Sequence, residues 1–501
     1  MTATPASTSI RNPRVALHVT GLAMVSAAVV LCCAALAESD LPTHAVVWGS
    51  FALAFYAAGL LCLVGRREGT GLGLASWKFG PWILLWYGLT FGFATLTWNQ
   101  SGTSAATQIA VSSILRALWL VTLGLTCWTI GYFIEPARPL RRMVTRFVAA
   151  LTGRFSGTVR GRTTPWILYG VGTVGRLASI ATTGRFGYVG DASAAVSTAN
   201  NYGQLLSALT LFAPLAVSVA ALQVYRQRLP GARVTLVVLL LAELAAGAAA
   251  GGKQSFVVAV LAVVIPMSAS GRRLSALAMI GSILIFLVVV IPFNQVYREA
   301  ARSGSVTLTP SEAIHQAPAI LRQTLTSQSL ITVLPDSLLY LLQRIQEIDS
   351  PAIILQRTPG QVGFISPAQL AEAPLADLVP RAVWPGKPIL DAGYQFNQQY
   401  YDSSSTVYSS SAITLVGDLY RHGGWIPVLA GMLLLGCGVR LLDDVLDVRD
   451  NPHAILLVLL LFPALVNGEQ DWVTLLAGMP TTALVWLSAV VLTFRPTGRA
   501  N

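Results

Sequence analysis

A series of apolar runs, most of them about 20 residues long, restricts this chain more than any other feature. A helix of about 20 apolar residues crosses about 30 Å of hydrocarbon. Twelve such runs begin near Val15, Ala45, Phe79, Ile109, Trp166, Gln204, Val234, Phe256, Leu274, Trp425, His453 and Trp472. The fifth, residues 166–181, is the weakest because it contains Arg176 and several glycines. The pattern predicts an all-α, polytopic membrane protein with about 12 transmembrane helices.

Composition agrees with this class and excludes others. Hydrophobic residues make up 54% of the 501 positions and charged residues only 11%, against roughly 25% charged residues in soluble domains. The net charge of +11 could indicate nucleic-acid binding, but in a membrane protein the position of each charge relative to the spans matters more. We therefore expect this chain to lie in a lipid bilayer and not to bind nucleic acid.

The basic residues indicate an orientation. With the amino terminus in the cytoplasm, most Lys and Arg residues fall in cytoplasmic loops, as the positive-inside rule requires. The cytoplasmic set comprises Arg11, Arg14, Arg66, Arg67, Lys78, Arg138, Arg141, Arg142, Arg146, Arg154, Arg160, Arg162, Arg226, Arg228, Arg233, Arg272, Arg273, Arg449, Arg495 and Arg499. The short outer loops keep little beyond Arg185 and Lys253. This predicts a multi-pass protein of the cytoplasmic (inner) membrane with both termini in the cytoplasm.

One large polar region interrupts the spans. It divides the chain into an amino-terminal bundle of about nine helices (residues 1–293), an extracytoplasmic loop (294–424) and about three carboxy-terminal helices (425–501). Residues 309–312 (TPSE) and 366–369 (SPAQ) have the pattern of capping boxes with Pro at the first helical position. Asp336 is a candidate cap for an apolar helix over residues 337–348. The large loop is therefore expected to be helical and folded.

Two common binding motifs are excluded. The five cysteines all fall in predicted spans without metal-ligand spacing, so we expect neither disulfides nor zinc. Residues 247–253 (GAAAGGK) match the start of a phosphate-binding loop, but Gln254 replaces the Ser or Thr that holds magnesium, and no strand precedes it. Small residues at this spacing more often let membrane helices pack closely. Lys253 remains a candidate anion contact at the outer mouth of its helix.

Three charged residues fall inside predicted spans, where an unpaired charge costs at least a few kcal/mol. They are Arg116, Arg176 and Glu243. Arg116 and Glu243 could form a structural ion pair. Arg176 is close in sequence to Arg185 in a short outer loop, which favours a functional role for these two arginines.

The segment from Val379 to Trp425 is too polar for a span and combines charged residues with tyrosines. The charged residues are Arg381, Lys387, Asp391, Asp402, Asp418, Arg421 and His422, and the tyrosines are Tyr394, Tyr400, Tyr401, Tyr408 and Tyr420. Aromatic faces suit sugar rings, carboxylates suit sugar hydroxyls, and guanidinium groups suit phosphate. The segment therefore indicates a site for a phosphorylated saccharide.

About 45 residues of this segment resemble O-antigen polymerases of the Wzy type, also called oligosaccharide repeat unit polymerases. The matching positions are Pro380, Arg381, Trp384, Pro385, Lys387, Pro388, Gly393, Phe396, Tyr400, Ser411, Gly417, Asp418, Leu419, Tyr420, Gly423 and Gly424, followed by an apolar helix. Arg176 and Gly187 also match an Arg-to-Gly spacing found in such polymerases. Related O-antigen ligases carry a His where this chain has Ser410 and Ser411. The rest of the chain resembles the family through its span count and its one late outer loop.

The resemblance implies a membrane glycosyltransferase with an architecture like that of the GT-C class. Such enzymes polymerise lipid-linked repeat units by transferring a glycan from polyprenyl diphosphate to an acceptor sugar, without cofactor or metal. It implies catalytic roles for Asp418, His422 and Arg381, with Asp418 or His422, or less readily Asp402, as the base. The implied substrate-binding residues are Arg176, Arg185, Lys253, Lys387, Tyr400, Tyr420 and Arg421. Other polysaccharide assembly and export proteins would be partners.

Two alternatives remain open at this point. An O-antigen-ligase-like glycan transferase would share the donor and the membrane location. A transporter or flippase of lipid-linked sugars would also be polytopic with intramembrane cations, but it would more naturally contain two repeated halves. We find no such internal repeat in the sequence.

Overall fold

The computed structural model describes residues 44–67, 74–98, 108–136, 138–187, 189, 203–272, 275–302, 309–327, 330–379, 384, 392–404 and 410–497. Helices make up most of these residues, as expected for an all-α chain. The predicted first span near Val15 lies outside the described residues.

Twenty helices can be followed along the described chain. They are α1 His44–Arg67, α2 Phe79–Tyr87, α3 Val111–Phe133, α4 Arg138–Thr152, α5 Thr164–Thr183, α6 Gly203–Thr210, α7 Phe212–Tyr225, α8 Ala232–Ala249, α9 Lys253–Ala269, α10 Ala276–Ile285, α11 Ile291–Arg302, α12 Pro310–Ser327, α13 Leu330–Ile345, α14 Asp349–Arg357, α15 Ala368–Leu378, α16 Ala392–Tyr401, α17 Leu415–Arg421, α18 Trp425–Val445, α19 Pro452–Val466 and α20 Trp472–Thr493. A π-helical turn and a 3₁₀ segment extend α2 to Thr97, and another π-helical turn joins α10 to α11.

Eight helical segments of the described chain are long and apolar enough to cross a membrane. They are Ala45–Gly65, Phe79–Thr97, Val111–Phe133, Gly203–Tyr225, Ala232–Ala249, Leu277–Ala300, Trp425–Val445 and Trp472–Thr493. Helices α9 and α19 are apolar but shorter. Helix α5, the predicted fifth span, is not among the eight, because Arg176 and the glycines and threonines around it lower its hydropathy. The chain is thus a helical protein of the membrane type, while the count of about 12 spans stays a prediction.

The centre of the helical bundle is a close crossing of α3 and α18. A Cβ atom on Gly131 would lie 2.1 Å from the Leu433 carbonyl oxygen, and one on Gly436 would lie 2.0 Å from the Trp128 carbonyl oxygen. The two backbones touch because both contact positions are glycine, the usual device for close helix packing in membranes. Beside them, the rings of Trp128 and Tyr132 stack with their centroids 5.2 Å apart.

One end of the bundle collects most of the arginines predicted to be cytoplasmic, and we name it the arginine-rich end. Here Arg160 donates its backbone N–H to the Thr493 carbonyl at 2.8 Å. Arg226 donates to the carbonyl of Arg449, and Arg141 lies 4.0 Å from the carboxylate of Asp444. Helices α3, α7, α18 and α20 all finish at this end.

A two-stranded antiparallel sheet at this end departs from the all-α prediction. Strand β1, Phe155–Val159, pairs with β2, Phe494–Pro496, which directly follows the last helix. Strands of five and three residues carry too short a pattern to be recognised from sequence. Their pairing connects the residues that follow α20 to the segment that follows α4.

The opposite end of the bundle is built around the turn between α8 and α9. The Gly251 carbonyl accepts hydrogen bonds from Asn294 Nδ2 at 2.7 Å and Arg298 Nε at 3.0 Å. The Ala249 carbonyl accepts one from the Tyr297 hydroxyl at 2.7 Å. These side chains belong to α11, which continues the preceding apolar helix without a break as far as Arg302. The expected boundary at residue 294 therefore falls inside this helix, where polar residues begin.

Helix starts in the polar region match the predicted caps in part. Thr309 is confirmed as a capping-box residue, because its backbone N–H donates to Glu312 Oε2 at 2.9 Å and α12 begins at the next residue. Ser366 Oγ accepts from the Ala368 N–H at 3.3 Å, at the start of α15. The prediction for Asp336 is wrong, because α13 already begins at Leu330 and runs through Pro335 and Asp336. Apolar residues before Asp336 continue the helix in the amino-terminal direction.

Candidate functional site

Helix α17 carries the first group of polar side chains, and local backbone geometry fixes its position. Thr414 precedes the helix with a φ of 66° and accepts the Gly417 N–H on its hydroxyl at 3.2 Å. A Cβ on Gly417 would lie 2.8 Å from Ile354 Cδ1, so a larger residue here would have to displace this α14 side chain. Gly423 and Gly424 follow with φ angles of 142° and 78°. The short helix is thereby held in a buried position.

Asp418, Arg421 and His422 form a compact buried cluster at this helix. Arg421 Nη1 lies 3.3 Å from Asp418 Oδ1, and His422 Nε2 lies 3.8 Å from the same oxygen. The other carboxylate oxygen accepts the Trp472 backbone N–H at 3.0 Å, which ties α17 to the start of α20. Three of the residues predicted to bind or transform substrate therefore lie together.

Electrostatics give Asp418 a proton affinity suited to acid–base chemistry. Burial, together with the nearby charge of Asp471, raises the pKa of its carboxyl to about 7, against the lowering effects of the Arg421 charge and of backbone hydrogen bonds from α20. Burial also lowers the pKa of the His422 imidazole, and the Arg421 charge adds to this effect. Asp418 can therefore release a proton near neutral pH, while His422 favours its neutral form.

Tyr400 and Tyr420, predicted as substrate contacts, are buried around Arg421. The guanidinium carbon lies 5.6 Å from the Tyr400 ring centroid and 5.4 Å from that of Phe396. The Tyr400 hydroxyl is 2.6 Å from Thr358 Oγ1, and Tyr420 packs edge-on against Trp425. The Tyr400 ring therefore packs inside the cluster, while the Tyr420 ring packs against Phe364 and Trp425.

A second polar group lies beside α13 and consists of three cations. Lys253 Nζ lies 4.1 Å from the centroid of the Tyr340 ring. Within the described residues this nitrogen is buried and has no hydrogen-bond partner. The positive charges of Arg298 and Arg344 lie close enough to act on it. We call Lys253, Arg298 and Arg344 the cation group.

A pair of carboxyl groups adjoins the cation group. Glu469 Oε1 lies 3.2 Å from Arg344 Nη1. Glu469 also hydrogen-bonds Glu347, whose side chain is buried. Burial and the Glu469 charge raise the pKa of Glu347 well above its ordinary value. The protonated form of Glu347, which can donate a hydrogen bond to Glu469, is therefore favoured.

Glu347, Arg298 and Arg344 were not predicted as site residues from the sequence. The partners Glu347 and Glu469 are far apart along the chain. The sequence contains one sign of this site: three charged residues lie close together at the end of an apolar run, namely Arg344, Glu347 and Asp349.

Arg176, of the fifth predicted span, and Arg185, of the short outer loop after it, lie elsewhere. Arg176 Nη1 donates to Glu243 Oε2 at 2.8 Å, and its other terminal nitrogen binds Glu243 Oε1. The alternative pairing of Glu243 with Arg116 is therefore wrong, since Arg176 reaches both carboxylate oxygens. Arg185 Nε donates to the Gly187 carbonyl at 2.9 Å. Gly187 itself packs against Ala250, in the turn before Lys253.

The remaining predicted residues divide into two sets. Arg381, Lys387 and Asp391 lie outside the described residues. Asp402 forms an exposed ion pair with Arg357 at 2.7 Å, and this hydrogen bond lowers the pKa of its carboxyl. Asp402 is therefore a weaker proton acceptor than Asp418.

Comparison with known proteins gives one match. A family model described as a domain of unknown function (DUF8712) matches residues 188–445, just over half of the chain. The matched range contains α17 and the cation group and stops before Glu469. No curated protein and no solved structure matches the chain.

Proposed function

We propose that the chain, which belongs to the DUF8712 family, is a membrane glycosyltransferase that polymerises lipid-linked oligosaccharide repeat units. It would transfer a glycan from polyprenyl diphosphate to a sugar hydroxyl of an acceptor. The reaction would occur on the outer face of the cytoplasmic membrane, with the arginine-rich end in the cytoplasm as the positive-inside rule requires.

The buried amino group of Lys253 carries the proposal, because within the described residues it has no hydrogen-bond partner. Burial makes its charged form costly, the charges of Arg298 and Arg344 add to this cost by repulsion, and together these effects lower the pKa of Lys253 to about 7. A diphosphate would relieve this cost, since its oxygens accept charge-assisted hydrogen bonds from Lys and Arg. The same contacts would stabilise the diphosphate as a leaving group.

The residues also suit the bond changes of the transfer. The acceptor oxygen forms a bond to the anomeric carbon of the donor while the bond from that carbon to the diphosphate oxygen breaks. The departing diphosphate keeps the electron pair, and the hydroxyl proton passes to a base. Asp418, with a pKa of about 7, is a suitable base because efficient general bases have pKa values near the working pH.

Helix α13 supports the two parts of this mechanism. It supplies Tyr340 and Arg344 to the cation group, and Arg344 binds Glu469. A single residue separates Glu469 from Asp471, the charge that acts on Asp418. The loop between α19 and α20 thus connects the proposed diphosphate contacts with the proposed base.

A reconstituted reaction tests the proposal. Purified protein in liposomes receives a single lipid-linked repeat unit, and the products are separated by size. A polymerase produces a ladder, an O-antigen-ligase-like transferase needs a second kind of acceptor, and a flippase leaves the glycan unchanged. Transfer only to a different acceptor, or an unchanged glycan, would refute polymerisation.

A further inference from the structure

Helix α4, Arg138–Thr152, has two distinct faces at the arginine-rich end. Its apolar residues recur at helical spacing, and three of them are exposed: Leu140 (43%), Met143 (61%) and Phe147 (63%). Arg138, Arg142 and Arg146 are also exposed, toward the other side of the helix. Among the described residues, none of these three arginines takes part in an ion pair.

In the part of the chain that the structure describes, the helix contacts the bundle along one edge. Val148 and Leu151 pack against the hydrophobic core, and Arg141 lies 4.0 Å from Asp444 near the end of α18. Helix α4 begins five residues after α3 ends, so it lies where a candidate span leaves the membrane. At that level the apolar edge meets lipid chains and the arginine face meets headgroups.

The geometry points to a binding site for anionic phospholipid headgroups, formed by Arg138, Arg142 and Arg146, with Leu140, Met143 and Phe147 inserted among the acyl chains. A helix with a strongly charged face and a narrow apolar edge lies in the plane of the bilayer surface. Guanidinium groups bind phosphate through paired hydrogen bonds. The proposal is independent of the catalytic activity.

The expected size of the effect follows from surface electrostatics. Each Lys or Arg near an anionic membrane surface contributes about 1 kcal/mol, or roughly fivefold in affinity. Three arginines together would favour an anionic over a zwitterionic lipid by roughly a hundredfold at low salt. Since the charges are exposed, this preference should shrink as the ionic strength rises.

The test measures binding of fluorescent phosphatidylglycerol and fluorescent phosphatidylcholine to the full-length protein in neutral detergent. The wild-type protein should bind phosphatidylglycerol more tightly, and Arg138→Gln/Arg142→Gln/Arg146→Gln should lose most of that preference. Met143→Ser/Phe147→Ser should weaken binding of both lipids and leave their ratio unchanged. Size-exclusion profiles establish that each variant is folded.

A matched variant separates this site from the general charge of the same end. Arg154→Gln/Arg228→Gln/Arg233→Gln removes three exposed arginines outside α4. This variant should retain the preference for phosphatidylglycerol. Equal binding of both lipids by the wild-type protein, an intact preference without the α4 arginines, or an equal loss in the matched variant would each overturn the proposal.

Discussion

Asp418 is the residue on which the proposed proton transfer depends. Because burial raises its pKa to about 7, it carries a proton below that pH and can act as a base only above it. The rate of ladder formation should therefore rise as the pH increases through about 7. Asp418→Asn should reduce the rate by about 10²- to 10⁴-fold, the usual contribution of a general base, and should abolish this rise. Rates measured between about pH 5.5 and 8.5 at equal protein levels check both effects.

Normal ladders from Asp418→Asn at the wild-type protein level would remove Asp418 from the reaction and leave His422 as the leading base. Parallel losses of activity and folded protein would instead assign Asp418 a structural role. Its bonds to Trp472 and Arg421 make that role a real alternative.

Lys253 allows the diphosphate site to be tested separately from the base. Lys253→Met keeps most of the side-chain length but removes the charge, so the KM for the lipid-linked donor should rise about 10- to 100-fold, as for a lost hydrogen bond to a charged group. The melting temperature should not fall, because within the described residues the ammonium has no hydrogen-bond partner to lose. Steady-state kinetics and thermal unfolding of the same preparations provide the measurement.

Arg357→Gln is the matched control for Lys253→Met. Arg357 is a cation of the polar region whose charge is already neutralised by Asp402, so its loss should leave the donor KM unchanged. An unchanged KM in Lys253→Met, or an equal rise in both variants, would contradict a diphosphate contact at Lys253.

At the residue scale, sequence spacing revealed only the local part of the site. Arg421 and His422 follow Asp418 by three and four residues, so one helical turn brings both close to Asp418 whatever the surrounding fold. The pairs Arg176–Glu243 and Glu347–Glu469 join distant parts of the chain. Whether Glu243 pairs with Arg176 or with Arg116 depends on how α5 and α8 pack, and a hydropathy pattern does not predict this packing.

At the scale of elements, the crossing of α3 and α18 offers a stability test. A Cβ on Gly436 would lie 2.0 Å from the Trp128 carbonyl oxygen, so Gly436→Ala must push the two backbones apart. We expect a destabilisation of about 1–3 kcal/mol, as for other overpacked positions, seen as a lower melting temperature and less folded protein. Gly438→Ala on the same helix has nothing within 4 Å of the added Cβ and should be neutral. Equal stability of the two variants would contradict the close crossing.

Element boundaries show where the sequence is informative. Apolar length located the candidate spans from Ala45 onward, because crossing a bilayer sets a minimum length. The start of α13 was predicted too far along the chain. Asp336 is a residue type that often precedes a helix, but the apolar residues before it extend this helix toward the amino terminus. The β1–β2 pair was missed because each strand is short and its partner lies at the far end of the chain.

For the whole molecule, the proposed orientation can be tested without reference to catalysis. In a variant lacking the five native cysteines, a cysteine at Ser404 should react with a membrane-impermeant thiol reagent in intact cells. A cysteine at Thr145, on the exposed face of α4, should react only after the cells are opened. Labelling of both in opened cells is the control, and the reverse pattern in intact cells would overturn the orientation and the proposed location of the site together.

The decisive measurement is a structure of the protein with a polyprenyl diphosphate bound. We predict that the two phosphates lie within hydrogen-bond distance of Lys253 and of at least one of Arg298 and Arg344, with the sugar end directed toward Asp418. Phosphates bound only at the arginine-rich end, or away from the cation group with Lys253 still unpartnered, would contradict it.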